Sequence, residues 1–117
     1  MRGILFKRIL FILGTFIFLS CNESDLDNEV PSCIQDKIEV FKSNEVSNPP
    51  TQIWKWETNG ETYYYITSDC CDQYNYLYNK HCEIVCAPDG GFTGNGDGNC
   101  PIFSNETVIT LIWEDNR

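Results

Sequence analysis

Residues 69–101 read DCCDQYNYLYNKHCEIVCAPDGGFTGNGDGNCP, and we expect the rest of the domain to be organised around this stretch. It contains five of the seven cysteines and most of the glycines of the 117-residue chain. Cysteines at this density in a short exported chain form disulfides, and glycines let the backbone turn sharply between them. We therefore expect a small domain that disulfides stabilise together with a modest apolar core.

The N-terminal residues predict that the chain is exported. Basic residues precede an apolar run over residues 9–19, which is the pattern of a signal peptide and is shorter than the ~20 residues of a membrane-spanning helix. Cys21 follows a small residue, as in bacterial lipoprotein signals. We expect residues 1–20 to be removed and Cys21 to carry acyl chains such as palmitate, because stable anchoring needs more than one chain. A retained membrane anchor is the alternative.

The chain that follows the signal is acidic. Without residues 1–20, five basic and seventeen acidic residues remain, which gives a formal net charge of −12. Nucleic acid is therefore a poor partner, because its binding needs a basic patch. Residues 22–30, NESDLDNEV, predict a solvated tether between the lipid and a domain at residues 31–117. The tether also resembles a surface-export signal, so we expect a cell-envelope protein of the outer membrane, facing the periplasm or the exterior.

Six cysteines remain for the domain once Cys21 is lipidated. They are Cys33, Cys70, Cys71, Cys82, Cys86 and Cys100. An even number predicts a full set of disulfides and no free thiol. We expect Cys86 to pair with Cys100, which closes the glycine-rich loop, and Cys33 to pair with one of the adjacent Cys70 and Cys71, leaving the other for Cys82. A bond between the two adjacent cysteines, in a strained ring open to reduction, is the alternative.

A helix is predicted at the start of the domain. Ile34, Ile38 and Phe41 recur at helical spacing and form one apolar face. Ser32 and Gln35 have the spacing of a capping box, in which each side chain bonds the backbone N–H of the other residue. The sequence therefore predicts an amphipathic helix that packs against a sheet.

Two hairpins and a final strand are predicted to form that sheet. Asn59-Gly60 favours a tight turn, which pairs Thr58 with Glu61 and so on back to Trp54 with Tyr65. A second hairpin is expected between residues 75–78 and 83–86, followed by an irregular loop at 87–101. Residues 108–113, VITLIW, are apolar on both faces, which indicates an inner strand. The result is an α+β fold, with one N-terminal helix on a mostly antiparallel sheet of four or five strands.

Two groups of aromatic residues are candidates for the core or for binding. The first alternates along the first hairpin and consists of Trp54, Trp56, Tyr63 and Tyr65. We expect the helix to cover this group, and an exposed platform for sugar rings or a protein is the alternative. The second alternates along the third strand and consists of Tyr74, Tyr76 and Tyr78. It lacks an evident apolar partner, so we expect it to bind an unknown protein or glycan.

Two metal sites are suggested by residue spacing. Asn95, Asp97, Asn99 and Glu106 fall at ligand positions of a calcium-binding loop. Cys100 stands where such a loop needs glycine, so the alternative is that these residues only favour tight turns. His81 with the nearby cysteines imitates a zinc site, but its spacing is poor and an oxidising compartment favours disulfides. We expect no cofactor, with calcium as the open alternative.

Three segments resemble a family of small, cysteine-rich bacterial lipoproteins of unknown function. They are CCDQYNYLY at 70–78, VCAPDGGFTGNGDGNCP at 85–101 and LIWEDNR at 111–117. The resemblance implies export, lipidation and a single small fold, and it assigns no catalytic residue. No acid–base pair, nucleophile constellation or phosphate loop can be assembled from the sequence. We expect a lipid-anchored, non-enzymatic binding module, and a small secreted inhibitor or accessory protein is the alternative.

Overall fold

The computed structural model describes residues 30–117, which form one helix and one five-stranded antiparallel sheet. The elements are α1 (Ser32–Lys42), β1 (Gln52–Thr58), β2 (Glu61–Ile66), β3 (Tyr74–Tyr78), β4 (Ile84–Gly90) and β5 (Val108–Glu114). The strands lie in the order β4-β3-β2-β1-β5. The predicted α+β fold is confirmed. The predicted signal peptide, Cys21 and nearly all of the tether lie outside the described residues.

The hairpin of β1 and β2 has the predicted register. Asn59 and Gly60 form the turn with φ of 54° and 77°, which places Thr58 opposite Glu61. The pairing continues back to Trp54 opposite Tyr65. Asparagine and glycine tolerate positive φ better than other residues, so this short sequence determines the register by itself.

The apolar face of α1 packs on the sheet as predicted, but its first turn differs from the prediction. Ile34 is fully buried against strand residues of the core, while Ile38 and Phe41 are partly buried beside it. Pro31 is the N-cap and accepts the first helical hydrogen bonds, and no side chain caps the helix. The prediction of a capping box was wrong, because Ser32 is already the first residue of the helix and so cannot be its N-cap. Gln35 instead donates from Nε2 to the carbonyl of Val30, 2.8 Å away. Among residues 30–117, no helix has the length and apolar character needed to span a membrane.

The helix covers the opposite face of the first hairpin from the one predicted. Ile53, Tyr64 and Ile66 form the core beneath α1, on the face that alternates with the tryptophans. Phe103, in the segment between β4 and β5, packs edge-on against the other face, 5.6 Å from Trp56 between ring centroids. The expectation that α1 covers the Trp54 face was therefore wrong. Both faces of the hairpin carry apolar side chains. The helix α1 packs on one face, and the segment that contains Phe103 packs on the other.

The second hairpin forms between β3 and β4, and β4 is longer than predicted. Residues 87–90 continue the strand, with Asp89 opposite Asn75, instead of joining the irregular loop. Pro88 is tolerated because β4 is an edge strand. The glycine-rich loop then folds back along that edge, where the Gly96 amide donates to the Gly90 carbonyl and the Asp97 amide to Ala87.

Strand β5 is the other edge of the sheet, so the prediction of an inner strand was wrong. It pairs with β1, and apolar side chains lie on both of its faces. Trp113 stacks on Phe41 of α1 with ring centroids 6.0 Å apart, on the core side. Ile109 and Leu111 lie on the opposite side and are exposed.

All six cysteines of residues 30–117 are in disulfides, as predicted, but the pairing differs in part. The bond of Cys86 with Cys100 is confirmed. Cys33 pairs with Cys82, and Cys70 pairs with its neighbour Cys71, which is the alternative arrangement. The expected bonds from the adjacent pair to Cys33 and to Cys82 were both wrong, because the first turn of α1 lies beside the β3–β4 turn that carries Cys82.

Candidate functional site

A surface cavity of about 600 Å³ lies between the second half of α1 and the strands β2 and β3. Its volume is within the ~300–1,000 Å³ that is usual for ligand pockets. The side chains of Tyr74, Tyr76 and Tyr78 line it, together with Val40 and Phe41 of the helix. We call this cavity the tyrosine groove.

The alternation of β3 places the three tyrosines on one face of the sheet. Tyr76 lies opposite Ile66 and Tyr78 opposite Tyr64, so the row faces the helix side. The ring centroids are 5.8 Å apart between Tyr74 and Tyr76 and 6.3 Å apart between Tyr76 and Tyr78. Tyr74 is exposed, whereas Tyr76 and Tyr78 are half-buried because α1 covers part of the row. The three predicted binding residues are thus together in one cavity.

The two ends of the row are held by different neighbours. The ammonium of Lys37 lies 4.6 Å from the ring centroid of Tyr78, over its face. Burial raises the pKa of the Tyr78 hydroxyl, and the neighbouring Tyr76 adds to the shift. At the other end the ring of Tyr74 lies against Gly91, where it leaves no room for a Cβ. Gly91 also has φ of 81°, so the position favours glycine for two reasons.

Carboxylates surround the tyrosines. Asp69 and Asp72 line the groove from the β2–β3 connection, Glu45 from the α1–β1 connection and Asp115 from the residue after β5. Asp115 is only 4% exposed and accepts hydrogen bonds from the guanidinium of Arg117. These hydrogen bonds hold the pKa of the Asp115 carboxyl below its usual value. No sequence motif singles out these four carboxylates, although Asp69 and Asp72 flank the adjacent cysteines just before the tyrosines.

The groove offers aromatic ring faces and hydrogen-bond acceptors, which are suited to binding. Hydroxyl-bearing residues such as Ser47 and Thr67 also line it. Among the described residues that line it, none is a histidine, cysteine or lysine. A lining of this kind can hold a ligand by ring stacking, hydrogen bonding and charge.

The aromatic side chains of the first hairpin pack against other parts of the protein. Trp56 stacks on Tyr65 and is covered by Phe103, so the first hairpin does not present an open platform. Tyr65 donates its hydroxyl to Asp89, 2.8 Å away, and Asn75 donates to the same carboxylate. Burial and this carboxylate raise the pKa of Tyr65 well above its ordinary value. These contacts join β2 to the far edge of the sheet.

The residues of the two suggested metal sites are engaged in other contacts. Asp97 accepts the backbone N–H of Asn99 at 2.9 Å, as the turn alternative implies, and this hydrogen bond lowers the pKa of its carboxyl. Glu106 donates its backbone N–H to Ser104. No group of three or more histidine, cysteine or acidic side chains in residues 30–117 is placed to hold a metal ion. The zinc alternative is wrong because disulfides occupy the cysteines, and calcium binding by the asparagine-rich loop stays a prediction.

Comparison with known proteins places the chain in a family. No curated protein and no solved structure matches the sequence. One family model, described as a domain of unknown function, matches residues 39–115. The match runs from within α1 through all five strands and covers well over half of the chain. The chain therefore belongs to the family described as domain of unknown function DUF6970.

Proposed function

We propose that the protein is a lipid-anchored, non-enzymatic binding module of the bacterial cell envelope, which holds its ligand in the tyrosine groove. The observation that carries this proposal is the convergence of Tyr74, Tyr76 and Tyr78 on one cavity of about 600 Å³. Tyrosine gives a large contact area with little loss of side-chain entropy, and it is enriched where proteins bind their partners.

The surroundings of the groove favour a preformed binding site. Cys33 and Cys82 link the start of α1 to the strand pair that carries the tyrosines. Arg117 donates to the carbonyls of Phe41 and Asn44 at the other end of the helix. A cavity whose walls are linked at both ends loses little conformational entropy when a ligand enters, and this favours affinity.

The proposed localisation is based on the sequence around Cys21. A signal that ends in cysteine, followed by an acidic tether, supports lipid anchoring at the outer membrane. Changing Cys21→Ala is expected to move the protein from the membrane fraction to the soluble fraction. Mass spectrometry of the mature N-terminus checks the lipid directly. An unchanged membrane fraction, with no lipid mass on the native protein, would contradict the anchor.

The binding function is tested by comparing a groove variant with a matched surface variant. The full-length protein is screened in detergent on a glycan array and against solubilised envelope proteins. We expect a ligand that the native protein retains and the double variant Tyr74→Leu/Tyr76→Leu loses. Phe92→Leu is the control, because Phe92 is 90% exposed and does not line the groove. Equal retention by the native protein and the groove variant would contradict the proposal.

A further inference from the structure

The lining of the tyrosine groove specifies the charge of what it binds. Building on the function proposed above, we infer that the ligand is an extended segment of a partner protein that presents lysine or arginine side chains to Tyr74 and Tyr76. Three independent features of the groove lead to this conclusion: the charge of its walls, the electrostatics of its rings and the spacing of those rings.

The charged side chains in the lining of the groove are all acidic, and the ammonium of Lys37 lies beside the groove, over Tyr78. The acidic residues that line the groove are Glu45, Asp69, Asp72 and Asp115, and the described lining contains no lysine, arginine or histidine. Arg117 compensates Asp115. The other three carboxylates make no side-chain hydrogen bond or ion pair with residues 30–117. An anionic ligand would be repelled, whereas a cation would meet carboxylates that have not yet been neutralised.

The rings favour the same charge. The face of an aromatic ring is electron-rich and attracts ammonium and guanidinium groups. The row of tyrosines already holds one such contact, because the Lys37 ammonium lies 4.6 Å from the Tyr78 ring centroid. Tyr74 and Tyr76 continue the row into the open part of the groove. A partner's cation can therefore make with Tyr74 or Tyr76 the contact that Lys37 makes with Tyr78.

The spacing of the rings fits an extended polypeptide. Successive ring centroids are separated by 5.8 Å and 6.3 Å along β3. In an extended chain, side chains on one face repeat every second residue, at about 6.6 Å. Two basic side chains, two residues apart on a partner strand, would therefore reach Tyr74 and Tyr76 at the same time. The long-range attraction between the acidic chain and a basic segment further raises the rate of association.

The test uses a short peptide whose charge can be removed without changing its length. The probe is acetyl-Ala-Lys-Ala-Lys-Ala-amide, and its comparison is the same peptide with both lysines acetylated on Nζ. Binding to the full-length protein in detergent is measured by calorimetry at physiological ionic strength. We expect the charged peptide to bind on the order of tenfold more tightly than the acetylated one, since acetylation removes both the ion pairs and the cation–π contacts.

Two pairs of variants separate the groove from general charge attraction. Asp69→Asn/Asp72→Asn is expected to weaken binding about five- to tenfold, whereas Glu57→Gln/Glu61→Gln is expected to change it less than about twofold. The second pair removes the same charge at the β1–β2 turn, outside the groove. Tyr74→Leu is expected to weaken binding about threefold or more, with Phe92→Leu unchanged. Because Tyr74 is exposed, its variant is expected to fold, which thermal melting verifies.

Different outcomes test the charge of the ligand and the role of the groove as a binding site. Equal binding of the charged and acetylated peptides, equal effects of the two carboxamide pairs, or no binding of the charged peptide would overturn the cationic ligand. A neutral tetramer of N-acetylglucosamine that binds and is lost in Tyr74→Leu would also overturn it, while supporting the groove as a binding site. A single amine, n-butylammonium, that binds as tightly as the peptide would overturn the extended segment.

Discussion

Arg117 connects the segment after β5 to the end of the helix although its own side chain is 43% exposed. Its guanidinium pairs with Asp115 through two hydrogen bonds of 2.8 Å. It also donates to the carbonyls of Phe41 and Lys42 in the last turn of α1 and of Asn44 just beyond the helix. One planar side chain thus caps the helix, satisfies a buried carboxylate and fixes one wall of the tyrosine groove.

Replacing Arg117→Ala is expected to destabilise the fold and to reduce its sensitivity to acid. The pKa of Asp115 in the folded chain lies below its usual value of 3.8, because Arg117 donates hydrogen bonds to the carboxylate. Its stabilisation is therefore complete above about pH 4 and is lost as the pH falls through the lowered pKa. Denaturant midpoints measured at neutral pH and below pH 4 check this.

The conservative variant Arg117→Lys serves as the control for that prediction. Lysine keeps the charge but lacks the planar fork that reaches Asp115 and the helix carbonyls together. We expect Arg117→Lys to fall between the native protein and Arg117→Ala in stability. Equal acid sensitivity of all three proteins would show that the Asp115 pair does not contribute.

At the scale of elements, the two edges of the sheet differ in how they are protected. The glycine-rich loop covers the edge of β4 through backbone hydrogen bonds, and the Cys86–Cys100 bond holds that loop. Strand β5 carries no charge, proline or glycine between residues 108 and 113, and Ile109 is 50% exposed on it. Unprotected edges of this composition pair with other chains.

Ile109→Lys is therefore expected to reduce self-association at high protein concentration. A charge on an edge strand disfavours pairing between chains, and a half-exposed position should alter the free energy of unfolding by no more than about 0.5 kcal/mol. Sedimentation velocity over a range of concentrations measures the effect. Ile102→Lys is the matched control, because Ile102 is 94% exposed and lies outside the strands. If the two variants reduce association equally, β5 is not the surface responsible.

At the scale of the whole molecule, disulfides replace part of the core. Few of residues 30–117 are fully buried, and the helix packs on the sheet through one apolar face. The Cys33–Cys82 bond spans 49 residues and joins α1 to the β3–β4 turn. It therefore holds the start of α1 against the sheet.

Removing this bond as Cys33→Ala/Cys82→Ala is expected to lower the free energy of unfolding by about 4 kcal/mol, the chain-entropy value for a loop of roughly 50 residues. Cys70→Ala/Cys71→Ala is expected to have little effect, because adjacent cysteines close almost no loop. Urea unfolding of the two double variants under identical conditions makes the comparison. A larger loss from the adjacent pair would contradict this account of stability.

The sequence predicted well what local chemistry determines. Asn59-Gly60 specified the register of the first hairpin, and the alternation of Tyr74, Tyr76 and Tyr78 placed them together on one face. The sequence did not predict which of two distant segments packs on a given face of the sheet. Both faces of the hairpin are apolar, so the side that α1 covers depends on where Phe103 returns, which no local pattern shows. The partner of Cys33 depended in the same way on which turn the helix meets.

The proposed function requires that a ligand occupies the tyrosine groove in the cell. Photo-crosslinking tests it most directly, with p-benzoylphenylalanine placed at Tyr74 or, as a control, at Glu57, which is exposed at the other end of the sheet. Intact cells are irradiated, and the protein is purified and analysed by mass spectrometry. We predict a discrete adduct from position 74 that is absent from position 57. No adduct from position 74, or the same adducts from both positions, would contradict the claim.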